Sequence, residues 1–310
     1  MESLESWHAE NVTPDLSNAA ATELATSLTY APEQLRRPVG SFYHADAKVD
    51  WLIATTLLTG RQTWVPWPAV LVNIEIRDAW GPPTFSMNTN GLASGNSYHE
   101  AALHGLYEVM ERHSLAQAEP GSTLFAVPLD DVASSDCAAL VDMIQRAGSE
   151  LHIARIDTWD GYYCFTAELT SSMTEVPFAG HGLHHDPNVA LSRAITEAAQ
   201  SRLTAISGAR EDLPLVIYHR FARMHTYAPL RGSTRQLPTA EPNPWDVPDV
   251  SSLDDLLASA ATAVAAEAGT EPVAVVCDFD DACIPVVKVI APGLMTSHAS
   301  PMRTPLDESA

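Results

Sequence analysis

The sequence predicts an α+β fold in which mixed sheets are flanked by long helices within a single domain. Three observations carry this. Helical patterns recur at residues 97–117, 187–207 and 253–268; runs rich in Val, Ile and Trp, bounded by Gly and Pro, lie between them; and an apolar fraction of 46% over 310 residues supplies a core of domain size.

Taken in order, residues 1–10 read as a helix with no capping residue ahead of it, and residues 18–28 as a second helix. Polar, Pro-containing connections run on to Asp50. From Trp51 the texture turns to strand at 64–68 and 69–76, with Gly60, Pro82 and Pro83 marking turns. A Gly/Asn/Ser-rich loop at 89–96 then feeds the helix at 97–117. The middle reads as a helix at 136–147, strands at 151–157 and 162–169, and a helix at 187–207, with 215–224 ambiguous. Pro229, Pro238, Pro242, Pro244 and Pro248 make 227–250 an exposed loop. The Ala-rich helix at 253–268 precedes strands at 272–278 and 284–291, and a tail without periodicity is expected to be disordered. The domain is therefore drawn as 1–295 and the tail as 296–310.

Composition excludes several roles. A net charge of -22, with 17 Lys and Arg against 39 Asp and Glu, argues against a nucleic-acid binder. No basic and apolar leader opens the chain and no stretch approaches the ~20 apolar residues of a membrane span, so a cytoplasmic protein without membrane contact is expected. Cys137, Cys164, Cys277 and Cys283 form no C-x-x-C pair and read as reduced core thiols.

Two helices carry polar stripes. Around Glu100 the helical repeat gathers Asn96, His104, Tyr107, Glu108 and Glu111, with Leu103, Leu106, Val109 and Met110 in the adjoining arc. Around Glu197 it gathers Arg193, Gln200 and Ser201, with Leu191, Ile195, Ala199, Leu203 and Ile206 opposite and Arg202 at the edge. Carboxylate and amide oxygens suit a hard cation, and guanidinium forks suit phosphate. Taken alone, each stripe is equally a solvated face: Ser97 and Glu100 form a capping box, and Glu108 and Arg112 an i,i+4 pair. Neither a Walker A motif nor a kinase glycine loop is present, although the loop before Ser97 ends at a helix N-terminus that favours an anion. His181-Gly-Leu-His184-His185-Asp186 invites a zinc reading, but its glycine and the proline that follows indicate a turn. Cys164 and Ser94 have no His base at a telling spacing. Glu2-x-x-Glu5-x-x-His8 is echoed by Glu108-x-x-Glu111-Arg112-His113.

Seven segments in register resemble the YcaO family: Glu2 to Glu10, Leu57 to Arg61, Asn90 to Asn96 with Glu100, Glu108 to Arg112, Ala194 to Leu203, Ser207 to Arg210, and Val289 to Leu294. The resemblance implies one site for ATP and Mg2+, with Glu2, Glu5, Glu108, Glu111 and Glu197 on the metal and Ser94, Asn96, Glu100, Arg112, Gln200 and Arg202 on the nucleotide. It names no catalytic base. It also implies an activity, the phosphorylation of a peptide amide oxygen after a nucleophile has added to the carbonyl, in maturation of a ribosomally made peptide. The Trp7-His8-Ala9-Glu10 opening is closest to the subgroup that works with a TfuA protein, and the tail lacks the proline-rich ending of azoline-forming members. Thioamide formation is thus favoured, with azoline formation next. The partners implied are a precursor peptide or protein, a TfuA-like protein and a second copy of the chain. Family members usually carry a nucleotide-binding segment before the first Glu-x-x-Glu helix, absent here, so the true start lies upstream or the copy is degenerate. The competing readings are a catalytically silent scaffold that binds a precursor peptide or partner enzyme, and an unrelated magnesium-dependent phosphoryl-transfer enzyme.

Overall fold

The computed structural model describes residues 2–38, 40–72, 83–118, 122–132, 135–171, 174–207, 227–228, 237–239, 245, 252–277, 284–295 and 304–305. The expected strand residues 73–76, the ambiguous segment 215–224, most of the 227–250 loop, Cys283 and the Gly208–Arg210 part of one family segment lie outside them. In chain order the elements are α1 (Glu2–Asn11), β1 (Leu16–Ala20), β2 (Lys48–Thr56), β3 (Gln62–Pro66), the single turn α2 (Trp67–Val70), β4 (Leu92–Ser94) and α3 (Tyr98–Gln117). They continue as β5 (Leu124–Val127), α4 (Ser135–Arg146), β6 (Ser149–Ile156), β7 (Tyr163–Ser171), β8 (Thr174–His184), α5 (Pro187–Ser207), β9 (Tyr227–Ala228), α6 (Leu253–Ala268), β10 (Val273–Val276), β11 (Val286–Ile290) and β12 (Thr304–Pro305). Within the span expected as one domain, two compact units form: Met1–Met110 with Val250–Leu294, and Glu111–Asp249 with Met295–Ala310. The α+β class is as expected; every ladder between named strands is antiparallel, and the one parallel pairing among the described residues is the bridge of Ala126 with Thr239.

The first unit is built on a sheet in the order β1-β2-β10-β11-β4, with β3 also paired to β2. Its core joins Trp51, Leu52 and Val65 to Val273, Val275 and Val286, with Ala9 of α1 and Val12 just beyond it packed in. Trp51 is fully buried, and its indole N–H donates to the Ala19 carbonyl at 2.9 Å, so the polar end of the largest core side chain is satisfied. Helix α3 lies close on the β4–β11 ladder because two positions lack side chains. A Cβ on Gly105 would stand 2.5 Å from the Gly91 carbonyl oxygen, and one on Gly91, whose φ is +76°, would stand 2.2 Å from that of Val289. Leu103, Leu106, Val109 and Met110 are buried, as their helical spacing requires. Helix α6 is bounded by its own chemistry: the Ser252 hydroxyl accepts the Asp255 N–H at 3.2 Å, and Gly269 closes the far end in the left-handed region.

The second unit is a four-stranded sheet in the order β5-β6-β7-β8. Along β7, Phe165, Ala167 and Leu169 face a core shared with α4 and α5, and Cys164, Thr166 and Glu168 on the opposite face are buried too. Asp186 caps α5, taking the Asn188 N–H on its carboxylate at 2.8 Å. The helix then lies on β8 through Ala190, Ala194 and Ala198, where a Cβ on Gly180 would stand 2.2 Å from the Ala198 nitrogen and 2.3 Å from the Ala194 oxygen. Trp245 stacks on Phe165, with centroids 6.2 Å apart, and its indole donates to the Asp131 carbonyl at 2.9 Å.

Several expectations are corrected. Residues 18–28 are not a helix. Leu16–Ala20 pairs with β2 as a strand, Asn18 has a φ of 58°, and Glu23 takes the Ala20 N–H on its side chain, which turns the chain into a run of tight bends. Residues 67–70, expected as strand, form the turn α2, where Pro68 fits the first helical turn and the Leu71 N–H bonds back to Trp67. The glycine-rich loop contains the three-residue strand β4. His181 to His184 belong to β8 rather than a turn, because Gly180 and Gly182 are needed to admit α5 and not to bend the chain. Strand β5 lay unread, and Tyr227–Ala228, placed in a loop, pairs with Thr304–Pro305 of the expected disordered tail. The α5 stripe is also shifted: Leu203 and Ile206 are 66% and 55% exposed, and the contact runs instead through the small Ala190, Ala194 and Ala198 beside Leu191 and Ile195. Among the described residues, no helix is long and apolar enough to cross a membrane.

Gly180→Ala is expected to destabilise the second unit by about 3 kcal/mol, since the added methyl meets helix backbone that cannot rotate away. Thermal melting checks it, and a wild-type melting temperature would refute the close-packing account.

Candidate functional site

In the first unit three glutamates are fixed by the main chain around β4. Glu5 of α1 accepts the Ser94 N–H at 2.9 Å and the Ser94 hydroxyl on the same oxygen. Glu108 of α3 accepts the Gly91 N–H at 3.0 Å, which the Gly91–Gly105 approach brings within reach. Glu100 accepts the Asn96 N–H at 2.9 Å and its side-chain amide at 3.0 Å, while its own N–H donates to the Ser97 hydroxyl at 3.2 Å. The Ser97 half of the expected capping box forms, while the Glu100 carboxylate returns to Asn96 instead of Ser97; Asn96, expected on the helix face, precedes α3 and is part of the cap. Glu2 heads α1.

The first unit also holds Lys288 of β11, which is 1% exposed and donates to the Asn88 carbonyl at 2.6 Å. Burial pulls its ammonium down to about 8, against the opposing pull of Glu108. Sequence reading passed over this residue, although a lone charge inside the apolar run Val286-Val287-Lys288-Val289-Ile290 is a legible signal.

In the second unit Glu111, buried on α3, stands 3.4 Å from the Arg112 guanidinium. Glu197 of α5 accepts the His181 N–H at 2.8 Å along the outer edge of β8. Ser201 of the same helix donates to the Ala179 carbonyl at 3.2 Å. Gln200 is exposed, and the Arg202 Nε is buried with no hydrogen-bond partner. Burial drives the Cys164 thiol well up, aided by Glu111, so it is an inert core group as expected. His184 uses Nδ1 to accept the Asp186 N–H at 3.0 Å, and burial lowers His185. Among the described residues no group of three His, Cys, Asp or Glu side chains is gathered around one metal position, in the 181–186 segment or among the glutamates above.

The arrangement suits hard cations and a polyanion. The donors are carboxylates; Glu5, Glu108 and Glu197 each have one oxygen pinned by a main-chain N–H, and pinning of this kind orients metal ligands. The buried, unsatisfied N–H of Arg202 is a donor that a phosphate oxygen would complete. Each unit therefore holds oxygen donors, and the second adds guanidinium groups, in a chemistry that fits Mg2+ and phosphate.

Fixed carboxylates and basic donors on α+β units are a chemistry compatible with a class of protein that binds metal ions and phosphates. A family model described as YcaO cyclodehydratase, ATP- and Mg2+-binding, matches residues 1–295, and the chain belongs to that family. ATP and Mg2+ are the cofactors that membership assigns. An uncharacterized protein of Mycobacterium tuberculosis is 69% identical over 309 residues, covering 100% of this chain and 70% of the relative. An uncharacterized protein in the tfuA 3′ region of Rhizobium leguminosarum bv. trifolii is 34% identical over 246 residues, covering 72% of this chain and 56% of the relative. Among solved structures, a heterocyclase in complex with substrate and cofactor matches at a TM-score of 0.75 and 20% identity, over 95% of this chain and 42% of the other. YcaO from Methanopyrus kandleri, bound with AMPPCP and Mg2+, matches at a TM-score of 0.68 and 22% identity, over 95% and 74% of the two chains. The chain thus spans less than half the length of that heterocyclase, and these structural matches establish the fold.

The Asn96 main-chain and side-chain amides hold the Glu100 carboxyl below the ordinary carboxylate value. A depressed folded value means the bond stabilises the chain above the unfolded value of about 4.5, and that this stabilisation fades as pH falls through the folded value. Glu100→Gln is therefore expected to melt below wild type at neutral pH, with the gap closing in acid. Melting curves across that range check it, and a gap that is constant with pH would refute it.

Proposed function

We propose that this chain activates peptide backbone amides with ATP, forming thioamides by preference and azolines next. The observation that carries the reading is the set of pinned glutamates: Glu5, Glu108 and Glu197 are fixed through main-chain N–H groups at positions where the family resemblance puts metal ligands. In this reading Glu2, Glu5, Glu108, Glu111 and Glu197 hold Mg2+, while Ser94, Asn96, Glu100, Arg112, Gln200 and Arg202 hold the nucleotide.

Bound ATP would supply the means of expelling an amide oxygen once a nucleophile has added to the carbonyl carbon, since its γ-phosphoryl group would turn that oxygen into a phosphate leaving group with ADP as the other product. The side chains contribute charge and position. Arg202 offers its buried N–H to a phosphate oxygen, and the glutamates seat the cations that offset the triphosphate. With sulfide as nucleophile the product is a thioamide; with a Cys, Ser or Thr side chain of the substrate it is a ring closed by loss of water. Support for sulfide comes from the Trp7-His8-Ala9-Glu10 opening and from the rhizobial relative encoded beside tfuA.

The test combines the protein with Mg2+, ATP, sulfide, a TfuA-like protein from the same genome and the short peptide encoded nearest its gene. The expected result is ADP release with a peptide mass gain equal to exchange of oxygen for sulfur. Loss of one water instead would assign azoline formation, and retained peptide binding with no ADP under any combination would sink the enzymatic reading. A second prediction concerns the ligands: Glu108→Gln combined with Glu111→Gln weakens Mg2+-dependent nucleotide binding by about a hundredfold or more, read by calorimetry. Unchanged affinity would remove these residues from the site.

A further inference from the structure

Among the described residues of the first unit Lys288 is the largest buried charged side chain, and its hydrogen bond goes to the Asn88 carbonyl at 2.6 Å. An ammonium with three N–H groups and a single neutral acceptor is costly to bury unless a negative group lies near, and here that group is Glu108. The turn that Lys288 grips is linked to the same carboxylate. The Asn88 side chain accepts the Asn90 N–H at 3.0 Å, the Thr89 carbonyl accepts the Leu92 N–H at 2.9 Å, and the Gly91 N–H donates to Glu108 at 3.0 Å. The Gly91 carbonyl is in turn held by the Val289 N–H at 2.8 Å, next in sequence to Lys288.

We propose that Lys288 is a positioning residue for Glu108: it locks the 88–91 turn whose Gly91 N–H orients that carboxylate. The inference rests on the reading of Glu108 as a metal ligand given above. Fully buried, the lysine acts through the turn and not on the nucleotide.

The test measures the Mg2+ concentration needed for half-saturation with AMPPCP, by calorimetry, alongside the melting temperature. Lys288→Met is expected to raise that concentration about tenfold or more while melting at or above wild type, because replacing a buried charge by an apolar side chain of similar length is often neutral or stabilising. Asn88→Ala, which loosens the same turn, is expected to shift the Mg2+ requirement in the same direction by about threefold, and it decides the matter should Lys288→Met fail to fold. A Lys288→Met protein with the wild-type Mg2+ requirement, or a folded Asn88→Ala protein with no shift where the first variant is unfolded, overturns the proposal. Wild-type protein that binds no AMPPCP in Mg2+ overturns the site reading itself, a result separate from either.

Discussion

Main-chain contact between helix and strand is the constraint on which the described structure rests. At Gly91 and Gly105 in one unit, and at Gly180 and Gly182 in the other, a single methyl would collide with backbone, so each helix lies nearer its sheet than side chains normally allow. That proximity has a chemical consequence. A glutamate three residues beyond Gly105, and another between Ala194 and Ala198, can each reach a main-chain N–H with one oxygen, the first in the turn before β4 and the second in β8. The glycines therefore do more than pack. They set the distance at which Glu108 and Glu197 become oriented carboxylates and not solvated ends of long side chains.

Such carboxylates resolve an apparent conflict in the composition. A chain with a net charge of -22 is an unpromising host for a triphosphate if the charges meet directly. With divalent cations between them the sign reverses, since each added carboxylate strengthens the cation site that the phosphates then share. Few basic residues are then required, provided that they are held. In the proposed reading Arg112, 3.4 Å from Glu111, and Arg202, with its buried Nε, fill that role in the second unit, while Lys288 acts through the 88–91 turn of the first.

How much of this was legible in the sequence follows from where the signals are local. Helices α5 and α6 were readable to the residue because their punctuation is local: Asp186 with Pro187 opens one, and Ser252 with Gly269 bounds the other. The pairing of Asn96 with Glu100 was half legible, since a Ser-x-x-Glu pattern announces a cap but not which residue the carboxylate returns to. Strand β1 was misread because Leu16–Ala20 has little strand character of its own and is held by β2 and by the Trp51 indole, partners more than thirty residues away. His181 to His184 was misread for a related reason. Gly180 and Gly182 look like turn residues until the helix that needs their missing side chains is in place. The stripe on α5 failed in the same way, because an interface made through alanine and glycine carries almost no hydropathy signal.

The sequence echo between Glu2-x-x-Glu5 and Glu108-x-x-Glu111 is a poorer guide than the physical one between Glu108 on α3 and Glu197 on α5. Those two glutamates share no flanking motif, yet both lie on long helices that use small residues for close approach, and both spend one oxygen on a main-chain N–H, of the turn before β4 in one case and of β8 in the other. A hydrogen bond to backbone tolerates any side chain at the donor, as Gly91 and His181 illustrate, so the arrangement can persist while the residues around it drift. What cannot drift is the space. At 20 to 22% identity to solved relatives the fold is retained, and positions that exclude even a Cβ are those where substitution is least affordable. The oriented carboxylates are thus a consequence of close packing first and of sequence pattern second, and this is why motif spacing alone could not separate them from an ordinary acidic face.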